Sequence, residues 1–303
     1  MSIASTTARD ITASTLATGR SKDRNVGSLV FLGLLWFSLF FGVMVLLVLI
    51  VSTALDGASR FDSALITEYS SRISPESTGF RAGILGSLWL MVFTALLAVP
   101  IGIGAALYLE EFANGERWWN RLIEVNLQNL AAVPSIVYGL LAVAVMALMG
   151  FENTGIVLGG AVALALLILP VVIITTREAV RAVPRDIRDG SLALGATVWQ
   201  TTWRQTLPSA VPGIATGTIL GLSRAMGEAA PLIVVGLAGS VRFDPTGLFS
   251  EITALPMQIY SLTSQSQEEF QTAASAAIIV LLVMILGLNA LAIFIRNKFQ
   301  RTW

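Results

Sequence analysis

Six runs of apolar residues divide the chain, at roughly 28–52, 83–109, 125–150, 155–176, 210–238 and 272–295. Coiled as a helix at 1.5 Å per residue, each run can cross the ~30 Å hydrocarbon layer of a bilayer. The pattern predicts an all-α, polytopic membrane protein of six transmembrane helices. Between the runs lie a tail at 1–27, polar connections at 53–82 and 239–271, basic connections at 110–124 and 177–208, and a short tail at 297–303. A cleaved signal sequence is the rival reading of the first run, but 28–52 is longer than a signal core. It is expected to stay as the first transmembrane helix.

Composition supports this reading. Hydrophobic residues make up 55% of the 303 positions and charged residues 13%, with mean hydropathy +0.76, too little charge to cover a soluble domain of this length. The net charge is zero, so global charge points to neither nucleic acid nor an acidic substrate. Placement of the charges says more. One set of connections carries Arg9, Arg20, Lys22, Arg24, Arg117, Arg121, Arg177, Arg181, Arg185, Arg188, Arg204, Arg296, Lys298 and Arg301. The opposite set carries Arg60, Arg72, Arg81 and Arg242. The positive-inside bias then places both termini in the cytoplasm. There is no cysteine and no histidine, which removes disulfides, thiolate chemistry and the commonest metal ligand and neutral-pH base.

Pro100, Pro134 and Pro170 fall inside predicted spans, where each removes a backbone bond and can kink its helix. Gly102, Gly104, Gly159, Gly160, Gly217 and Gly221 are candidates for close helix approach. Glu110 and Glu111 read as solvated charges at the edge of the second span, and Trp118 and Trp119 as interfacial anchors. Asn289 could bond across helices, and "LPMQIY" in the 239–271 connection could form a short interfacial helix.

The stretch 175–214, "TTREAVRAVPRDIRDGSLALGATVWQTTWRQTLPSAVPGI", is too polar to span. Pro184 suits a helix start and Gly195 a turn, so a short helix, a turn and a second amphipathic piece are expected. The stretch resembles the EAA loop of ABC importer permeases. Asp189, Gly190 and Ser191 stand at the Glu-Ala-Ala positions, Gly195 matches, Gln205 replaces the usual Ile, and Leu207 and Pro208 match. Asp shortens the first side chain, and Gly190 weakens the helix by about 1 kcal/mol relative to Ala.

From about residue 80 onward, "LEEFANGERWWNRLIEVNLQNLAAVPSIVYGLLAV", "SRAMGEAAPLIVVG" and the segment from Ala254 to Gln300 resemble the PstA-type permeases of phosphate importers. The resemblance implies a permease domain at 80–296 with five helices of the type I (MetI-like) importer core. It implies an ATPase-coupling loop at about 177–208, with Arg185, Asp189, Gly190, Ser191, Gly195, Leu207 and Pro208 as coupling residues. It further implies a PstC-like partner permease, a PstB-like ATP-binding dimer and an extracytoplasmic PstS-like phosphate-binding protein. The chain itself holds no Walker A pattern, so ATP and magnesium would belong to the partner ATPase, with no cofactor, metal or catalytic residue here. The membrane would be a bacterial plasma (inner) membrane.

Arg224 and Glu228 stand four apart within the fifth run. A charge at the bilayer centre costs about 2.5–3.5 kcal/mol or more, so the two are expected to meet and to face protein or a water-filled cavity. One reading is a packing ion pair. The other is a substrate pathway in which the arginine fork grips phosphate oxygens and Glu228 accepts a hydrogen bond from the protonated oxyanion and neutralises Arg224 between passages. Sulfate or molybdate as cargo, and the PstC-like role within the same machine, are the alternatives. A self-sufficient channel or secondary transporter would need no coupling loop, and a membrane enzyme would want clustered inward carboxylates.

Overall fold

The computed structural model describes residues 26–71, 73–114 and 117–299. Arg9, Arg20, Lys22, Arg24, Arg72 and Arg301, with most of the tail segments, lie outside the described residues. Residues 1–52 and 53–303 form two separate units. Helix α1 (Val26–Asp56) occupies the described part of the first and is apolar around its whole circumference, as a lipid-facing span is.

The second unit is helical, with a single isolated bridge between Ile156 and Glu251 among its described residues. After short helical turns at Ala58–Arg60, Ala64–Thr67 and Pro75–Ser77, its helices are α2 (Arg81–Leu107), α3 (Trp118–Leu130), α4 (Ser135–Leu148), α5 (Val157–Arg181), α6 (Arg185–Ala193), α7 (Val198–Thr201), α8 (Leu207–Gly227), α9 (Ala230–Val235), α10 (Leu255–Thr263) and α11 (Glu268–Phe299). Wider π turns extend α2 through Tyr108–Phe112 and join α7 to α8 through Thr202–Thr206. Helix α5 is the axis of the unit. It packs along α2 and α8, with α4 and α9 beside it, while α11 holds α8 and α10. Leu90, Val157, Ala161, Leu164, Ile168, Val172 and Leu232 form the buried apolar centre.

Two predicted spans are not continuous. The run 125–150 is split between the last turns of α3 and the whole of α4, which meet at a bend of 118°. The run 210–238 is split into α8 and α9. Among the described residues four helices, α1, α2, α5 and α11, are individually long and apolar enough to cross a membrane, and the α3–α4 pair makes a fifth if counted as one bent span. Helix α8, 21 residues long with Pro212 inside it, is the less apolar remainder of the predicted six.

Prolines set these breaks. A proline lacks the N–H that would bond the carbonyl four residues earlier, and its ring crowds that carbonyl. Pro134 stands four after Leu130, where α3 ends, and Pro231 four after Gly227, where α8 ends. The freed Leu130 carbonyl accepts the Tyr138 hydroxyl at 2.6 Å. Pro134 is therefore a terminator preceding α4, whereas Pro100 and Pro170 are carried inside α2 and α5.

Close approach is achieved at fewer glycines than expected. A Cβ at Gly102 would meet Val172, at Gly159 the Thr154 carbonyl, at Gly160 Leu90 and at Gly217 Thr175, but Gly104 meets nothing and Gly221 only ordinary contacts. Instead, Gly83 and Gly86 of α2 admit the segment leading into α10, where a side chain would strike Gln258 and the Thr253 carbonyl. Ser87 Oγ accepts the Leu255 amide there at 2.9 Å. Helix α10, the "LPMQIY" segment, is thus a core element, with Leu255, Pro256, Met257, Gln258 and Leu262 buried, and not an interfacial one.

Candidate translocation and coupling sites

Arg224 lies in the last turn of α8, a favourable place for a cation against the helix dipole. Glu228 is the capping residue beyond it, with extended backbone (φ −86°, ψ 115°). The pair meets, but not inside one continuous helix. Arg224 Nε is 3.4 Å from Glu228 Oε1, a long single contact well short of a two-pronged pairing. The side chains are 48% and 23% exposed. Ala210, Ile214, Gly217, Gly221 and Ala225 form the buried stripe of α8, and Arg224 lies at the edge of that stripe, beside exposed Leu220 one turn earlier. Among the described residues its terminal nitrogens have no protein partner.

The two interrupted spans are neighbours. Helix α9 packs on α4 where Gly139 leaves room for Pro231. Ser223, beside Arg224, bonds Asn289 of α11 and contacts the Ile219 carbonyl. One hydroxyl proton cannot serve both. The consistent arrangement has Ser223 donating to Ile219 and the Asn289 amide turned so that its nitrogen donates to Ser223. Asn289 thus makes the cross-helix bond foreseen for it, on the border of an apolar cavity of about 220 Å³ between α2, α8 and α11.

At one end of the unit, α6 starts after Pro184 and closes in a turn at Gly195, whose φ of +84° is a left-handed conformation suited to glycine. Thr197 and Gln200 then form a reciprocal cap on α7. The helical part of this connection runs 185–201, since α5 extends to Arg181 and α8 begins at Leu207. Arg185, Asp189 and Gly190 point outward and are exposed, as is Gly195. Ser191 turns inward and hydrogen-bonds Thr201 at 2.9 Å. Leu207 packs against the cluster of Leu107, Val180 and Val183, and Pro208 occupies the first turn of α8. The proposed coupling residues therefore divide into an outer surface and an inner footing.

An ion-pair network at this end corrects the reading of Glu110 and Glu111 as solvated charges. They are 17% and 11% exposed. Arg177 lies 3.3 Å from Glu110 and 2.9 Å from Glu124, Arg181 lies 2.7 Å from Glu110, and Arg188 of α6 lies 2.9 Å from Glu111. The signal available in the sequence was complementary: arginines four apart at the end of one span, and adjacent glutamates at the end of another. Aromatic side chains border the network. Phe112 packs on Trp199, which stacks on Trp203 at 5.8 Å, and Arg117 lies over Trp119. Trp118, Trp119, Trp199 and Trp203 are all exposed.

A multi-pass helical unit with interrupted spans and a protruding helix–turn–helix is the architecture of a transporter's membrane subunit. Residues 98–302 match the family model "Binding-protein-dependent transport system inner membrane component", and the chain belongs to that family. Its relatives include the phosphate transport system permease proteins PstA of Yersinia pestis, 32% identical over 86% of this chain and 88% of that one, and of Mycobacterium leprae, 35% identical over 80% and 79%. The fold is that of type I ABC importer permeases. A bacterial alginate ABC transporter solved with its pentasaccharide-bound periplasmic protein aligns over 90% of this chain and 96% of its own with a TM-score of 0.65 at 15% identity.

Proposed function

We propose that this chain is the permease subunit of an ATP-driven importer of inorganic phosphate, lining half of a pathway completed by a PstC-like permease. A PstB-like ATPase pair would dock on α6, and a PstS-like protein would deliver phosphate from outside. The protein would sit in a bacterial inner membrane with both termini in the cytoplasm. The phosphate permeases among its relatives support the cargo. The carrying observation is Arg224: a half-exposed guanidinium at the edge of the buried stripe of α8, held loosely by one carboxylate, with no partner for its terminal nitrogens among the described residues.

The chemistry suits passage. The fork can bind two oxygens of an oxyanion. Glu228, 3.4 Å away, can accept a hydrogen bond from the hydroxyl that phosphate near neutral pH still carries, and it neutralises the arginine when the pathway is empty. Conduction needs binding firm enough to admit the anion and weak enough to release it, and a single long contact provides that balance better than a tight pair.

The test is uptake of radiolabelled phosphate into liposomes holding the four-component complex, with ATP inside and sulfate or molybdate as competitors. Arg224→Gln is expected to lower uptake by about ten- to a hundredfold, the worth of a charge-assisted bond, in complexes that still assemble. Normal uptake in that variant removes the anion-contact role. Preferential uptake of sulfate or molybdate by the unaltered complex would reassign the cargo.

A further inference from the structure

Helix α6 protrudes from the unit, and its attachments to the membrane helices are few. Its inward face is Ile187, Arg188 and Ser191. Ser191 ties it to Thr201 within the same protrusion, and Ile187 packs at the border of the Leu107–Val180 cluster. Arg188 is its one ion-paired side chain among the described residues, and that side chain reaches two helices at once. Pro184 removes the N–H that would have closed the turn on the Val180 carbonyl at the end of α5, and Arg188 Nη2 donates to that carbonyl at 2.7 Å. The same nitrogen lies 2.9 Å from Glu111 Oε1, in the π turn that ends α2.

The second contact is close in charge but incomplete in bonding. Glu111 Oε1 and Arg188 Nε are both buried, and neither has a hydrogen-bond partner. A buried donor and a buried acceptor of opposite charge, side by side and unbonded, are costly. Arg188 Nη2 already lies 2.9 Å from that same Oε1, so the two unbonded atoms belong to side chains in contact.

We infer that Arg188 is the positioning residue that carries displacement of the protruding helix into the bundle. Its bond to Val180 holds α6 to α5, and its pairing with Glu111 alternates between the loose contact seen here and a closed Nε–H···Oε1 bond. The unit thus has a joint with two settings, which is what a rigid-body relay requires. The inference rests on the functional reading above, because it presupposes a motor acting on α6. Lysine cannot replace the arginine fully, since a point charge cannot hold a carbonyl and a carboxylate in the fixed directions of a planar fork.

The experiment measures phosphate transported per ATP hydrolysed in reconstituted four-component complexes. An unaltered complex with no ATP-dependent phosphate uptake would overturn the functional reading, and it is checked before any variant. Given uptake, Arg188→Gln is expected to lower the transport-to-hydrolysis ratio about tenfold while hydrolysis continues. Arg188→Lys should fall between, and Glu111→Gln should match Arg188→Gln. Glu124→Gln, which disturbs the neighbouring ion pairs of Arg177 and Arg181 without touching α6, should keep the ratio. An unchanged ratio in assembled Arg188→Gln, or an equal fall in Glu124→Gln, overturns the inference. Should Arg188→Gln not assemble, Glu111→Gln decides by the same ratio. Failure of both to assemble while Glu124→Gln assembles means that the pair serves assembly and not coupling, and also overturns it.

Discussion

The arginines of α5 and the arginine of α8 occupy opposite electrostatic situations in one bundle. Arg177 is 12% exposed and answers two carboxylates. Arg224 is 48% exposed and touches one, at the limit of bonding distance. A largely enclosed charge held between two carboxylates of its own chain serves to hold structure. A charge with capacity left over is available to something that comes and goes. The same residue type therefore acts as a rivet at one place and as a candidate ligand at the other, and the distinction lies in the carboxylates that surround it.

The sharpest way to test this contrast is to remove a rivet. Arg177→Met strips Glu124 of its short partner and leaves Glu110 to Arg181 alone. Breaking a buried pair from one side costs roughly 3–5 kcal/mol. The retained Arg181 contact places the expectation near the lower end, at about 3 kcal/mol of unfolding free energy, read by thermal unfolding in detergent or nanodiscs. The Arg224→Gln variant should show the reverse pattern, with large loss of uptake and an unfolding midpoint close to the parent. Equal destabilisation by both variants would erase the distinction.

The legibility of the two regions in the sequence differed for physical reasons. Apolar runs such as 83–109 and 155–176 are local, and they became α2 and α5 with little change in extent. Hydropathy is a window average, however, and it read through Pro134 and Pro231. A break four residues before each of these prolines would have marked both ends, and with them the withdrawal of Glu228 from the helix of Arg224, but the same reading would have broken α2, α5 and α8, which carry Pro100, Pro170 and Pro212 inside them. The network at the α6 end was invisible one residue at a time. Glu110 and Arg177 are 67 positions apart in the chain, and nothing local to the "LEEF" segment tells whether its carboxylates meet water or guanidinium. The helix–turn–helix of 185–201 was legible because its signals, Pro184 and Gly195, act on their own backbone.

A second, smaller effect sharpens the reading of Arg224. If Glu228 serves cargo and not packing, Glu228→Gln should leave the unfolding midpoint within about 0.5 kcal/mol of the parent, as for an exposed contact. It should also shift the preference between phosphate and sulfate by severalfold, about 1 kcal/mol of differential binding, measured by competition in the uptake assay. Unchanged uptake and discrimination would remove the glutamate from the mechanism and leave Arg224 to act alone.

The smallest effect belongs to a third pair, which separates geometry from burial. Arg81 and Asp244, at the start of α2 and in the 239–271 connection, have the best-formed contact of all, with Nη2 at 2.6 Å and Nε at 3.2 Å from the carboxylate. Both are substantially exposed. The hydrogen bond from Arg81 holds the Asp244 carboxyl below its ordinary value of 3.8. A depressed carboxylate contributes stability that is present above the unfolded value and lost as pH falls through the folded one. The contribution should therefore be intact at neutral pH and fade below about 3.8. Solvent screening should nonetheless make Asp244→Asn the mildest of these substitutions at neutral pH, with its midpoint difference from the parent shrinking further in acid and in high salt. A midpoint loss rivalling that of Arg177→Met would show that contact geometry, and not enclosure, decides which arginines this bundle relies on, and the contrast between α5 and α8 would have to be drawn on different grounds.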